Sequence, residues 1–274
     1  MDSQTYRLGF IGAGKLAGSI IRGLIRANFC SPGEIIASEP SEQTRIALER
    51  ETSVNTTADN IGVAENAETI FIGVKPGVVL PVLRELREKL EDKLTISLAA
   101  GVKLESLKSA GNARFLRALT NTPSAICRGA TAIARGERTT NDDINRVRHI
   151  FSAVGLVVEI PEAQIDAVTA LSGSGPAFVY TVIEAMAQGG SKMGLSENVA
   201  LDLAAQTVRG AAELMLESKL PPEELRKMVV TPGGTTAAGL AEMERLRTKE
   251  GLIAAIEAAT KRGQEMAKEF GSGD

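Results

Sequence analysis

A short apolar run, Arg7-Leu8-Gly9-Phe10-Ile11, passes directly into Gly12-Ala13-Gly14-Lys15-Leu16-Ala17 and then into a helix-prone stretch reaching about Asn28. This arrangement commits the chain to a buried strand that turns at once into a helix, the first unit of a parallel α/β sheet. Gly12 permits the tight turn, Gly14 lets backbone approach a pyrophosphate, and Ala17 keeps the helix close to the sheet. The free amides of the helix's first turn then face the phosphates of a dinucleotide. The next strand-like run, Glu34-Ile35-Ile36-Ala37-Ser38, arrives in step and ends at Glu39, 22 residues beyond Ala17.

The residue after that second strand bears on which dinucleotide is bound. A carboxylate there accepts from the 2′-hydroxyl of NAD and repels the 2′-phosphate of NADP, so Glu39 favours NADH. Ser38, Ser41 and Arg45 lie close enough in sequence to hold a 2′-phosphate if Glu39 turns outward after Pro40. Both NADPH and NADH stay open, and a solvated loop acid is the plainer role for Glu39.

From residue 7 to about 160, β-branched runs alternate with helical stretches, as in a parallel sheet covered on both faces. Strands are expected at 9–12, 35–38, 69–73, 95–99, 114–119, 130–134 and 157–160, with helices near 14–28, 41–51, 76–90, 103–109 and 140–153. After Pro161 strand signals vanish, and long helical segments are expected at 164–192, 196–218 and 235–269. The fold class is therefore α/β: an N-terminal Rossmann-type parallel-sheet domain, 1–161, followed by an all-helical C-terminal domain, 162–274. The first helical segment holds few charges and the second is apolar around most of its circumference, so a domain this small needs a partner to bury them. A homodimer with interleaved helices is the expected solution.

Composition removes several function classes. A net charge of −3, no basic run and 3% aromatic residues argue against nucleic acid. Cys30 and Cys127 are too few and too isolated for a disulfide framework or a zinc site, and no carboxylate cluster suggests a metal. No apolar stretch has the length of a membrane span, the start Met-Asp-Ser-Gln-Thr-Tyr carries no signal pattern, and the cytoplasm is the expected compartment. His149, the one histidine, sits in a helical run and reads as packing. Without a serine-histidine-acid set or a histidine base, oxidation of an alcohol is poorly served, whereas a protonated imine is electrophilic enough to take a hydride directly.

Four loops complete the reading. Val230-Thr231-Pro232-Gly233-Gly234-Thr235-Thr236 leads into a helix, so its glycines, hydroxyls and helix N-terminal amides can cradle a small carboxylate; a solvated loop with a threonine helix cap is the plainer alternative. Gly73-Val74-Lys75-Pro76 ends a strand at the sheet edge where cofactors bind, with Lys75 read as a cofactor-facing or capping lysine ahead of a catalytic one. Thr120-Asn121-Thr122-Pro123 offers Asn121 to the nicotinamide or its ribose. Leu171-Ser172-Gly173-Ser174-Gly175-Pro176-Ala177 breaks a long helix, which costs stability and points to function.

Together, Phe10-Ile11-Gly12-Ala13-Gly14-Lys15, Val74-Lys75-Pro76, Thr120-Asn121-Thr122-Pro123, the 171–177 break and Thr231-Pro232-Gly233-Gly234-Thr235-Thr236 resemble the pyrroline-5-carboxylate reductase family, in order over essentially the whole chain. The resemblance implies reduction of 1-pyrroline-5-carboxylate to L-proline with NADPH or NADH, the last step of proline biosynthesis. It also implies a helical dimerisation domain and dimers assembled into decamers. By the same resemblance the cofactor contacts Gly12, Ala13, Gly14, Lys15, Leu16, Ser38, Asn60, Val74, Lys75, Pro76, Ala99, Ala100, Gly101 and Asn121, with Glu39 beside them. The substrate carboxylate is placed on the amides of Gly234, Thr235 and Thr236, across from Val229 and Thr231, with Ser174 nearby; Thr236 is the catalytic candidate, read as orienting the ring nitrogen or relaying a proton, with a protonated substrate or a water ahead of its hydroxyl as proton source. Met228 and Val230 depart from the family pattern, which has an asparagine in some members at the first and Ser or Thr at the second.

Two other readings use the same residues. A reductase of another small acid, whether a six-membered cyclic imine or a β-hydroxy acid, is one; the hydroxy-acid form needs a buried lysine, and Lys192 and Lys219 sit in exposed-looking segments. A noncatalytic dinucleotide sensor is the other, and it has no use for the second anion-binding loop.

Overall fold

A computed structural model describes residues 5–271; Met1 to Gln4, which open the start read for a signal pattern, lie outside the described residues. The elements that carry the sheet are β1 (Tyr6–Ile11), α1 (Lys15–Arg26), β2 (Ile35–Ser38), α2 (Glu42–Thr52), β3 (Asn55–Thr57), α3 (Asn60–Asn66), β4 (Ala67–Ile72), α4 (Pro76–Glu85), β5 (Leu94–Ser97), α5 (Leu104–Ala110), β6 (Arg114–Leu119), β7 (Gly129–Arg135), α6 (Asn141–Ser152) and β8 (Gly155–Glu159). The strand order is β3-β2-β1-β4-β5-β6-β7-β8, whose first six members follow the Rossmann order and run parallel. Each central strand is buried on both faces. Phe10, Phe71, Ile96 and Leu116 pack against Ile20 and Leu24 of α1 and Val147 and Phe151 of α6 on one side. On the other, Ile70 and Ile72 pack against Val79 and Leu83 of α4 and Leu107 of α5. Phe10 stacks on Phe71 at 4.5 Å, and Phe71 meets Phe151 edge-on at 6.0 Å.

The sheet departs from the expected all-parallel form at β7, which pairs antiparallel with β6, while β8 returns parallel to β7 through α6. The reason is the connection. Between Leu119 and Gly129 there is only a 3-10 turn, Thr122–Ile126, and a parallel return needs a crossover of a dozen or more residues. Residues 114–119 and 129–135 carry the same apolar pattern whichever way they run, so direction is not written in either strand.

Past Pro161, α7 (Ile165–Val168) leads into a π-turn, Thr169–Gly173, followed by α8 (Gly175–Lys192), α9 (Glu197–Ser218), α10 (Pro222–Val229), α11 (Thr235–Arg245) and α12 (Thr248–Gly271). The expected break at 171–177 is thus a π-turn that re-enters a helix. The single helix expected at 235–269 is two helices, because Arg247 takes a left-handed conformation, φ +55°. No glycine or proline marks that bend. It is stabilised by backbone bonds instead: the Arg247 amide donates to Glu244 O at 2.9 Å and its carbonyl accepts from Gly251 at 3.0 Å.

The chain divides into two compact units, one of residues up to Ser174 together with those from Glu257 onward, the other Gly175–Ile256. In the first, the final turns of α12 dock on the sheet domain: Ser106 Oγ donates to the Gly271 carbonyl at 2.8 Å, and Gly77 faces the Phe270 ring. In the second, α8, α10 and α11 bury no residue and α9 buries only Ala200 and Ala204. Tyr180, Leu201, Leu203, Leu216 and Met193 are all more than half exposed or close to it, an apolar surface too large for a lone chain.

Two measurements test this packing. A Cβ on Gly23 would lie 2.1 Å from Ser124 O and 2.8 Å from Val154 Cγ1, so α1 rests on the 3-10 turn through a bare backbone. Gly23→Ala should lower stability by about 3 kcal/mol, the upper range for overpacking; an unchanged Tm would show that the helix does not lie there. Asp143 is buried in the first turn of α6, where it completes a capping box with Thr140 and accepts from Arg114 at 2.8 and 3.0 Å. Burial, the largest single influence, pushes its pKa up, but the bonds from Arg114 and Thr140 together hold it below the usual carboxylate value. A depressed folded pKa contributes stability that is complete above the unfolded carboxyl pKa and is lost as pH falls through the folded one. Asp143→Ala should therefore cost about 1 kcal/mol or more at pH 7 and progressively less below about pH 4, read from denaturant midpoints. A difference that stays constant across that range would remove the carboxylate as its source.

Candidate active site

Strands β1, β2 and β4 end at one place. The amides of Gly12 and Ala13 both donate to Ser38 O at 2.9 Å, and the Gly73 amide donates to Ile11 O at 2.7 Å. Gly12 has φ +87°, and a Cβ there would meet Val74 Cγ1 and the Val74 nitrogen at 2.7 Å. A Cβ on Gly73 would meet Ala17 at 2.9 Å, so strand, turn and helix touch through glycine and alanine alone. Gly14 is different: a Cβ there meets no protein atom within 4 Å. It is the N-cap of α1, contributes no side-chain cap, and no acid lies in the first turn. The first amide that bonds back to Gly14 is that of Gly18, at 2.8 Å, which leaves the amides of Lys15 and Leu16 directed at the open space beside Gly14. Open space, positive dipole and free donors in one spot fit a pyrophosphate.

The corner after β2 gathers the ribose-facing candidates. Ser38 is buried and its hydroxyl donates to Asn60 Oδ1 at 2.6 Å, joining two residues 22 positions apart. The Glu39 carboxylate accepts from the Ser41 amide at 3.2 Å. Arg45 folds back to donate to the carbonyls of Glu39 and Pro40, at 2.7 and 3.1 Å. A carboxylate and a guanidinium thus share the corner where a 2′-hydroxyl or 2′-phosphate is distinguished.

Further along the same edge, Lys75 is exposed at the N-cap of α4, Pro76 is its first helical residue, and Val74 packs against Gly12. Ala99, Ala100 and Gly101 follow β5, with Gly101 at φ +72°. Asn121 is buried and uses both ends of its amide internally: Nδ2 donates to Ser172 O and Oδ1 accepts from the Ala130 amide, each at 3.0 Å. Its side chain ties the π-turn to β7. Sequence reasoning missed Arg117 and Glu162. Arg117 is buried, Nη1 donates to Glu162 Oε1 at 3.0 Å and Nη2 to Ala99 O at 3.4 Å. The available signal was a charged residue inside the apolar strand Arg114–Leu119.

The second unit holds the other candidates. Val229 ends α10 and is exposed, Gly233 has φ +70°, and the Gly234 amide donates to Thr231 O at 3.0 Å to close the turn. Gly234 is the N-cap of α11 with no side-chain cap, and the first bond back to its carbonyl comes from Ala238 at 3.2 Å. The amides of Thr235 and Thr236 therefore head an uncapped helix with no acid in its first turn. Thr236 is half-buried, and Thr231 Oγ1 lies where a Cβ on Gly234 would fall. Ser174 closes the π-turn, its amide donating to Thr169 O at 2.8 Å, and belongs to the first unit. Lys192 and Lys219 are exposed, and the ring of His149 lies 5.1 Å from that of Phe29. Among the described residues no group of three or more His, Cys, Asp or Glu is placed to hold a metal, and no helix is long and apolar enough to cross a membrane.

A Rossmann-order sheet with an uncapped, acid-free helix start beyond β1, followed by a helical region with a second such start after Gly234, fits the class of nicotinamide-dependent oxidoreductases. Comparison with known proteins narrows it. Residues 162–266 match the model of the pyrroline-5-carboxylate reductase dimerisation family, and residues 7–101 match that of the NADP oxidoreductase, coenzyme F420-dependent family. The chain is 41% identical to a pyrroline-5-carboxylate reductase of Synechocystis over 266 residues, covering 97% of this chain and all of that one. It is 38% identical to the enzyme of Methanosarcina acetivorans over 271 residues, covering 98% of this chain and 100% of the relative. Among solved structures, the Plasmodium falciparum pyrroline carboxylate reductase with NADP bound superposes with a TM-score of 0.88 at 30% identity, covering 96% of this chain and 99% of that one. The chain belongs to the pyrroline-5-carboxylate reductase family.

Gly14→Ala separates binding from folding. Its methyl group meets no protein atom, so Tm should not change, whereas NADPH and NADH should bind at least about tenfold more weakly if the methyl fills space that a pyrophosphate would take. Unchanged affinity by calorimetry would move the phosphates elsewhere.

Proposed function

We propose that the protein is an NAD(P)H-dependent reductase that converts 1-pyrroline-5-carboxylate to L-proline, the last step of proline biosynthesis, in the cytoplasm. The observation that carries this reading is that, on one chain of this family, two uncapped helix N-termini free of acids each follow a glycine: α1 after Gly14 and α11 after Gly234. The first suits a dinucleotide and the second a small carboxylate. Residues 1–161 bind the dinucleotide, and 162–274 dimerise and hold the substrate.

A bound reduced dinucleotide would supply the hydride that the imine carbon accepts, with the nitrogen's proton coming from a substrate that binds protonated or from a water. The chain's own contribution is positioning. The amides of Gly234, Thr235 and Thr236 hold the carboxylate, with Thr231 and Val229 bounding the turn. The Thr236 hydroxyl orients the ring nitrogen. Gly12 through Leu16 hold the pyrophosphate, Ser38, Glu39 and Asn60 the adenosine ribose, and Val74 to Pro76, Ala99 to Gly101 and Asn121 the nicotinamide half. Glu39 and Arg45 at one corner support use of either coenzyme. The assembly is a homodimer through the apolar faces of α8 and α9, and the resemblance extends it to a decamer of five dimers.

Oxidation of NADPH and NADH followed by absorbance, with and without 1-pyrroline-5-carboxylate, tests the reading. Substrate-dependent turnover is expected with at least one coenzyme. Thr236→Ala should lower kcat/KM by about tenfold to a hundredfold while leaving dinucleotide affinity unchanged, as expected for loss of one positioned hydrogen bond. No turnover by folded wild-type protein would redirect the assay to six-membered cyclic imines and then to a sensor role.

A further inference from the structure

We infer that Arg117 is a positioning residue for the nicotinamide half of the dinucleotide site, acting through the loop that joins β5 to α5; this rests on the dinucleotide reading proposed above. Arg117 stands in the middle of β6, paired with Ser97 of β5 on one side and Ala134 of β7 on the other, and is 2% exposed. Taking a guanidinium out of water costs several kcal/mol, and an apolar side chain of similar size fills such a place at less cost. Its Nε has no partner, so the site is not optimised as an ion pair either. What the fork reaches explains its presence.

One arm, Nη2, donates to the carbonyl of Ala99 at 3.4 Å. The other, Nη1, donates to Glu162 Oε1 at 3.0 Å, and that same oxygen accepts the Leu104 amide at 2.7 Å. Ala99 stands near the start of the 98–103 loop, and Leu104 is the first residue of α5. A single ion pair between a buried arginine and a partly exposed glutamate therefore pins the loop at both ends, its arginine at one and its glutamate at the other. Between them Gly101, at φ +72°, lies so close to α12 that a Cβ would meet Met266 Cβ at 2.8 Å. The loop is held from the strand, from the helix it enters and from behind.

Its place in the sheet says what such rigidity serves. In the order β3-β2-β1-β4-β5-β6, the first three strands form one mononucleotide-binding half and the last three the other, and ligands bind beyond the carboxyl ends of the strands. The phosphate cradle belongs to β1, so the loop after β5 serves the nicotinamide half. An arginine that fixes this loop sets where the ring lies without touching it, and the adenosine half does not depend on it.

The test compares two ligands by calorimetry: the reduced dinucleotide that wild type prefers, and the same molecule lacking nicotinamide, ADP-ribose or its 2′-phosphate. Arg117→Lys keeps a positive charge beside Glu162 but gives up the planar fork that reaches Ala99 as well. The whole dinucleotide should bind about tenfold more weakly to this variant and the fragment within about twofold of wild type, the low end of what a charge-assisted hydrogen bond contributes. Equal losses for both ligands, or none for either, in folded protein would overturn the inference, since a purely structural role weakens both together. If Arg117→Lys does not fold, Glu162→Gln carries the same test, because it keeps the oxygen that accepts from Leu104 and removes only the charge that holds the arginine. Wild-type protein that binds neither ligand would overturn the dinucleotide reading itself, a result distinct from a failure confined to the variants.

Discussion

One carbonyl organises the dinucleotide edge. Ser38 O accepts the amides of both Gly12 and Ala13, which turns the chain from β1 into α1 and fixes β2 beside β1 at the point where both end. With both hydrogen bonds made, Gly12 stands at φ +87°, a region that costs an L-residue and not glycine. Val74 then closes over the bare glycine, and Ala17 sits against Gly73. The open space at Gly14 is what this close packing leaves. Cofactor chemistry here is a consequence of where Cβ atoms are missing.

The same contacts explain which parts of the fold were legible in the sequence. Runs such as Ile35–Ser38 and Arg114–Leu119 are bounded by sharp changes in composition, and strands begin and end there. The strand Asn55–Thr57 and helix Asn60–Asn66 carry no such run; they form because β2 offers an edge and Asp59 caps the helix by accepting from Ile61. The bend at Arg247 and the reversal at β7 depend on hydrogen bonds and connection length, which a residue pattern does not encode. Glycine-rich site loops were legible because they need special backbone; Arg117 was not, because its role lies in partners 18 and 45 positions away.

The second unit poses the opposite problem from the first. Its helices are regular and their sequences helix-forming, yet α8 has no buried residue. Secondary structure alone does not stabilise such helices in water; an apolar face must be covered. The match of residues 162–266 to a dimerisation family supplies the covering element, a second copy of the chain. Stability of this half is then inseparable from protomer concentration.

In the reading proposed above, recognition in both halves falls to backbone more than to charged side chains. α1 and α11 each present uncapped amides after a glycine, with no acid in the first turn. Amides hold an anion without titrating, and in the proposed site the Thr236 hydroxyl would orient a nitrogen while itself staying un-ionised. A hydride acceptor that binds as a cation would need no histidine or lysine base, and the chain's one histidine packs against Phe29. Of its buried charges, Arg117 lies in the sheet and donates to a carbonyl of the chain itself. Reactivity is left to the two ligands, and the protein's contribution is geometry.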